Sequence, residues 1–122
     1  MRKAWLAAAV LSGVPSTLHT LATGGSLLAS TRAAGTLLGK PTVVRGGVAH
    51  LAISWWWTWV LTRLRVRSAV AGAAAGLAIA GLDLVVVGRR YPLIRALPAP
   101  PQLADHVAFG AVVGWFNGRP PS

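Results

Sequence analysis

Four long apolar runs constrain this chain most, because its charges gather between them. The runs are about Ala4 to Thr23, Val44 to Leu61, Ser68 to Gly88 and Pro101 to Asn117. Arg2 and Lys3 precede the first, Arg63, Arg65 and Arg67 follow the second, and Arg89 and Arg90 close the third. A helix that crosses the hydrocarbon core needs about 20 residues, within about 17–25. The first and third runs meet this, and the second, interrupted only by Arg45, just does. The fourth is short and spans only if it starts at Pro101, where a missing N–H costs nothing. This layout predicts an all-α polytopic membrane protein: an up-down-up-down bundle of four transmembrane helices forming one integral membrane domain over 1–122.

Composition closes the other routes. Charged residues make up 11% of the chain, against about 25% in soluble domains, too few to cover a water-exposed surface. At 54% hydrophobic it is equally unlike a disordered segment. Twelve Lys and Arg stand against two Asp and no Glu, for a formal charge of +10. The basic residues lie in short groups and not on a dense hydrophilic face, which argues against nucleic acid as a partner and for the lipid bilayer. The absence of cysteine excludes disulfides, thiolate zinc sites, iron–sulfur clusters and thiol catalysis. The preponderance of Arg over Lys fits a GC-rich bacterial genome, and so a bacterial inner membrane.

The links have distinct characters. Between Gly24 and Thr42, Leu27, Leu28, Thr31, Ala34 and Leu38 fall at helical spacing, which predicts a short interfacial helix before a turn at Lys40-Pro41. The tight Thr62–Arg67 link makes the second and third segments an antiparallel hairpin. The Tyr91–Pro100 link, with Pro92, Pro98 and Pro100, is expected to be extended and irregular. Met1-Arg2-Lys3 resembles the start of a signal peptide, but Thr20-Leu21-Ala22 is a poor cleavage site and Ser12, Ser16, His19 and Thr23 are polar for such a segment. The first run is therefore read as a retained span. Basic residues divide evenly between the two sides, and the dense Arg63–Arg67 cluster favours cytoplasmic N- and C-termini.

Each run carries one small or polar seam. Gly72, Gly76, Ala80 and Asp83 share a face of the third, and His106, Gly110, Gly114 and Gly118 recur every four residues in the fourth. Gly46, His50, Ser54 and Thr58 do the same in the second, and Ser12, Ser16, His19 and Thr23 follow one face of the first. Small seams let helices approach closely in lipid, so Gly72, Gly76, Gly110 and Gly114 are the expected packing positions. In an up-down bundle His19, His50, Asp83, Asp105 and His106 all fall in one leaflet. The six Trp belong to the other leaflet or the mid-plane, facing lipid.

Ionisable residues at membrane depth are costly and mark functional sites by default. His19, His50, Asp83, Asp105 and His106 are suitable metal ligands, although no HxxxH or ExxH pair occurs. A proton or cation relay needs only these groups with hydroxyls from Ser16, Thr20, Ser54 and Thr58. A b-type haem would need His19 or His50 facing His106. In the structural alternative Asp83 pairs with Arg89 or Arg90, Asp105 caps the fourth helix, and the His side chains are interfacial hydrogen-bonding groups. No GxSxG or HExxH motif is present, so no catalytic residue is assigned.

Gly47-Val48-Ala49-His50 leading to Ser54, Gly72 and Gly76 after a basic turn, and Asp105-His106 after a Pro-rich link together resemble the YagU-like small bacterial inner-membrane proteins over about residues 44–116. The resemblance implies a four-helix membrane protein with a link to acid tolerance and supplies no catalytic residues. The leading expectation is a small inner-membrane protein with a His/Asp site for ion, proton or metal handling. The alternatives are an accessory or scaffold subunit that binds other membrane helices or its own copies through its Gly seams and Trp patch, and an enzyme acting on a lipid-soluble substrate.

Overall fold

Helix limits in this chain follow its caps and breakers. The computed structural model describes residues 1–120. Its helices are α1 Arg2–Leu11, α2 Val14–Thr23, α3 Ala29–Gly35, α4 Val43–Arg63, α5 Ala69–Gly81, α6 Gly88–Arg90, α7 Pro92–Arg95 and α8 Ala99–Gly118. No strand occurs among the described residues, so the protein is all-α. The Thr42 hydroxyl accepts the Arg45 N–H at 3.2 Å to start α4, and the Ser68 hydroxyl accepts that of Ala71 at 3.1 Å to start α5; both satisfy donors that have no partner inside the helix. Pro100 and Pro101 sit in the first turn of α8, where no N–H is needed, so that helix begins at Ala99, two residues before the expected Pro101. Gly24 ends α2 at φ 74° and Gly39 ends the α3 segment at φ 98°, conformations that disfavour a Cβ.

Two rods are interrupted. The first bends between α1 and α2: the Gly13 N–H bonds back three residues to Val10, at 3.4 Å, and Pro15 supplies no N–H at all. The third continues from α5 into α6 through a π-helical stretch, Leu82–Val87. Taken through these interruptions, Arg2–Thr23 and Ala69–Arg90 are the two helices long and apolar enough to cross a membrane, with mean hydropathies of 1.2 and 2.2. The Gly24–Thr42 link holds α3 and a 3₁₀ turn, Thr36–Leu38. The Tyr91–Pro100 link is not extended throughout, as its prolines had implied. Pro92 instead opens the one-turn α7, its fixed φ suiting the first helical position.

Packing runs through the glycines. A Cβ on Gly72 would collide with the Gly110 carbonyl, one on Gly76 with that of His106, and one on Gly114 with that of Ser68. α5 and α8 therefore lie backbone against backbone. On the other flank a Cβ on Gly46 would strike the Thr31 carbonyl, which seats α3 on α4. The apolar centre, Ala8, Leu61, Ile79, Phe109 and Val113, joins α1, α4, α5 and α8.

The expected hairpin of the second and third segments is corrected here. α5 packs on α8, while α4 packs on α1, α3 and α8, and α4 and α5 share no substantial interface. Their small seams are spent on other helices, so the tight turn between them, with Arg65 at φ 58°, joins two rods that stand apart. A half-open cavity of about 520 Å³ lies between α4 and the far end of the third rod, bounded also by the α1–α2 bend, α3 and α8.

Candidate functional site

Both irregular stretches open onto this cavity. Ser12, Gly13, Ser16 and Thr17 from the α1–α2 bend line one side, and Leu82, Asp83, Leu84 and Val87 from the π stretch line another. α3 and the α7 segment add to the wall through residues such as Thr31 and Ile94. Non-helical backbone at membrane depth is tolerated where it faces a cavity or buried protein, and π turns recur at functional sites.

His50, Asp83, Asp105 and His106 all line the cavity, and His19 does not. The expectation that His19 joins them fails because the bend breaks the register. A bond to the third residue back replaces one to the fourth, so the face carried by buried Ser12 does not continue to His19, which is exposed. Its carbonyl accepts the Thr23 hydroxyl at 2.9 Å.

The strongest contact joins α8 to the π stretch. His106 Nε2 lies 2.6 Å from Asp83 Oδ2, and its Nδ1–H donates to the Gln102 carbonyl, also at 2.6 Å. The two side chains are 20% and 27% exposed, so the pair is sheltered yet reachable from the cavity. Asp83 therefore pairs with His106, not with Arg89 or Arg90 as in the structural alternative; this is the one ion pair among the described residues. The glycine seam positions it: Gly76 lets the His106 backbone approach α5, and Asp83 lies seven residues beyond Gly76, about two turns along the same face.

Both ring nitrogens of His106 thus face acceptors. A neutral imidazole has one N–H and donates to only one of the two acceptors; the second contact needs a further proton. The short Nε2–Oδ2 contact, at the cavity wall, is where such a proton would be held.

Asp105 and His50 do different work. The bend leaves the Ser16 N–H and the Ala9 carbonyl without main-chain helical partners, only the Ser12 hydroxyl reaching Ala9, at 3.4 Å. The Asp105 carboxylate accepts the Ser16 N–H at 2.8 Å, and His50 Nε2–H donates to the Ala9 carbonyl at 2.7 Å. Asp105 is well inside α8, so it caps α2 and not the start of its own helix. Gly13, at the N-cap of α2, has no side chain for that job, and a carboxylate there also meets the positive end of the helix dipole.

Among the described residues no three His or Asp side chains lie close enough to hold a metal ion. A bis-His haem fits no better: both nitrogens of His106 and one of His50 are engaged. Two of the four hydroxyls of the expected relay are turned onto their own helices, Thr58 donating to the Ser54 carbonyl at 2.6 Å and Ser16 to that of Gly13 at 3.3 Å.

The sequence did not single out Trp56, Trp57 and Gln102 as part of this site. Trp56 and Trp57 were expected to face lipid in the other half of the protein, yet both line the cavity. Adjacent helical residues diverge by about 100°, so a run from Trp55 to Trp57 cannot keep to one face. Gln102 had a legible signal, because it stands four residues before His106, within reach of a ring N–H. Comparison with family models, curated proteins and solved structures returns no match.

Proposed function

We propose that the protein is a small inner-membrane protein of four spans whose His106–Asp83 pair takes up and releases a proton in a cavity within one leaflet. The spans are α1–α2, α4, α5 through α6, and α8. Two have the length and apolarity to cross a membrane; support for the others comes from their outer faces. Val44 on α4 is 79% exposed, and Val48 on the same helix and Trp115 on α8 are exposed as well. The interior is built the opposite way: six of the eleven buried apolar residues are alanine. Small residues inside and large ones outside suit helices that pack by close approach in lipid. Four spans put both termini on one face, and the Arg63–Arg67 turn at that same end makes it the cytoplasmic face by the positive-inside rule.

The observation that carries the chemistry is the His106 ring held between two acceptors beside a cavity. The test is proton transport into proteoliposomes that hold the purified full-length chain and a pH-sensitive dye. Wild-type protein is expected to exceed empty vesicles, and Asp83→Asn to fall to their level. Equal rates for wild type and empty vesicles would contradict the proposal.

The accessory-subunit alternative keeps one supporting observation, the exposed Trp55, Trp56 and Trp115. Its other element is spent, since Gly72, Gly76, Gly110 and Gly114 pack within the chain.

A further inference from the structure

Building on the proton site just proposed, we infer that the cavity binds a hydrophobic organic cation, an ammonium or phosphonium on an apolar body, in exchange for the proton of the His106–Asp83 pair. Charge distribution is the first support. The chain carries +10, yet the cavity wall holds both of its acids and none of its twelve Lys and Arg. The titratable groups facing the pair are His50 from α4 and Asp105 from α8, while the α1–α2 bend, the α3 segment and the α7 segment contribute none.

The rest of the wall is mainly apolar, with Trp56, Trp57 and Phe109 beside hydroxyl side chains such as Ser30, Thr31 and Ser54. An indole face attracts a cation, the more so when water is excluded. The chain's own guanidinium groups cover Trp rings outside the cavity: Arg63 lies 5.2 Å from the Trp59 centroid and Arg119 4.5 Å from that of Trp115. A volume of about 520 Å³ suits a small organic molecule.

The exchange balances. A cation seated beside Asp83 replaces the proton as partner of that carboxylate, and the proton leaves to water in the cavity. His106 remains neutral, its Nδ1–H still on the Gln102 carbonyl. One positive charge enters and one leaves, and only a bond to hydrogen is broken.

The test uses the purified full-length chain in phosphatidylcholine nanodiscs, with tetraphenylphosphonium and tetraphenylborate, probes of one shape and opposite charge. Saturable tetraphenylphosphonium binding is expected by equilibrium dialysis, with quenching of Trp fluorescence and release of a proton into weakly buffered solution. Tetraphenylborate should only partition into lipid. Asp83→Asn should weaken tetraphenylphosphonium binding by about tenfold or more, as loss of a sheltered charge partner does. Trp56→Ala, which leaves the polar pair intact, should weaken it by about threefold. Equal uptake of both probes, or unchanged binding in both variants, overturns the inference. Proton transport in proteoliposomes without tetraphenylphosphonium binding overturns it as well and leaves the proton site standing. Saturable, Asp83-dependent binding with no proton released overturns the exchange.

Discussion

His106 has two ring nitrogens facing acceptors, the Gln102 carbonyl and the Asp83 carboxylate, and its behaviour on substitution follows from that arrangement. In Asp83→Asn the new amide donates to Nε2 while Nδ1–H keeps the Gln102 carbonyl, so the ring is satisfied when neutral. The variant should fold, lose the shared proton, and change in stability by no more than about 1–2 kcal/mol, the difference between a neutral and a charge-assisted bond. Denaturant titration in detergent measures the last of these, and a loss well above that range would contradict it. Asp105 predicts a different outcome. Asp105→Leu strips the Ser16 N–H of its acceptor and should cost about 1–2 kcal/mol, as helix caps do, whereas Asp105→Asn retains an acceptor and should cost less. Equal losses in the two variants would show that the cap is not the source. The sequence marks Asp83 and His106 because each is an ionisable residue on a seam of small ones. It hides the role of Asp105, whose partner is a backbone N–H set free by a bend in a helix 89 residues away in sequence.

Helices pair here through what their side chains omit. Gly72 and Gly110 approach so closely that a Cβ on either meets the other's carbonyl. Gly72→Leu should therefore force α5 and α8 apart and cost about 1–3 kcal/mol or more. Gly47 lies in α4 with no heavy atom in the way of a Cβ, so Gly47→Ala should be neutral or stabilise by up to about 1 kcal/mol, the helix-propensity gain. Thermal unfolding in one detergent compares the two; a loss at Gly47 equal to that at Gly72 would mean that close approach is not what the glycines provide. Seams of this kind are legible because a step of four returns to nearly the same face of a helix. Interruptions are less so. Gly13 and Pro15 announce the α1–α2 bend, but not the shortened bond that turns His19 away. Nothing in Leu82–Val87 announces a π stretch, since its apolar residues fit an α-helix equally well.

For the molecule as a whole, the space between α4 and α5 matters more than any packed pair. A hairpin is what a tight link implies, and the sequence holds no direct sign that both partners prefer other helices; that emerges only when all the seams are matched together. The proposed four-span bundle makes two predictions at this scale. The chain should remain in membranes after carbonate washing and require detergent for release, and recovery in the soluble fraction would contradict it. Reporter fusions at the two termini should both signal the cytoplasmic side, and opposite signals would reduce the spans to an odd number. The proposed exchangeable proton on His106 and Asp83 at the cavity wall is a narrower matter. Infrared difference spectroscopy of the reconstituted chain, cycled between acid and alkaline buffer, tests it most directly. Coupled imidazole and carboxyl bands are expected to shift in deuterium oxide and to vanish in Asp83→Asn; bands that persist unchanged in that variant would contradict the shared proton.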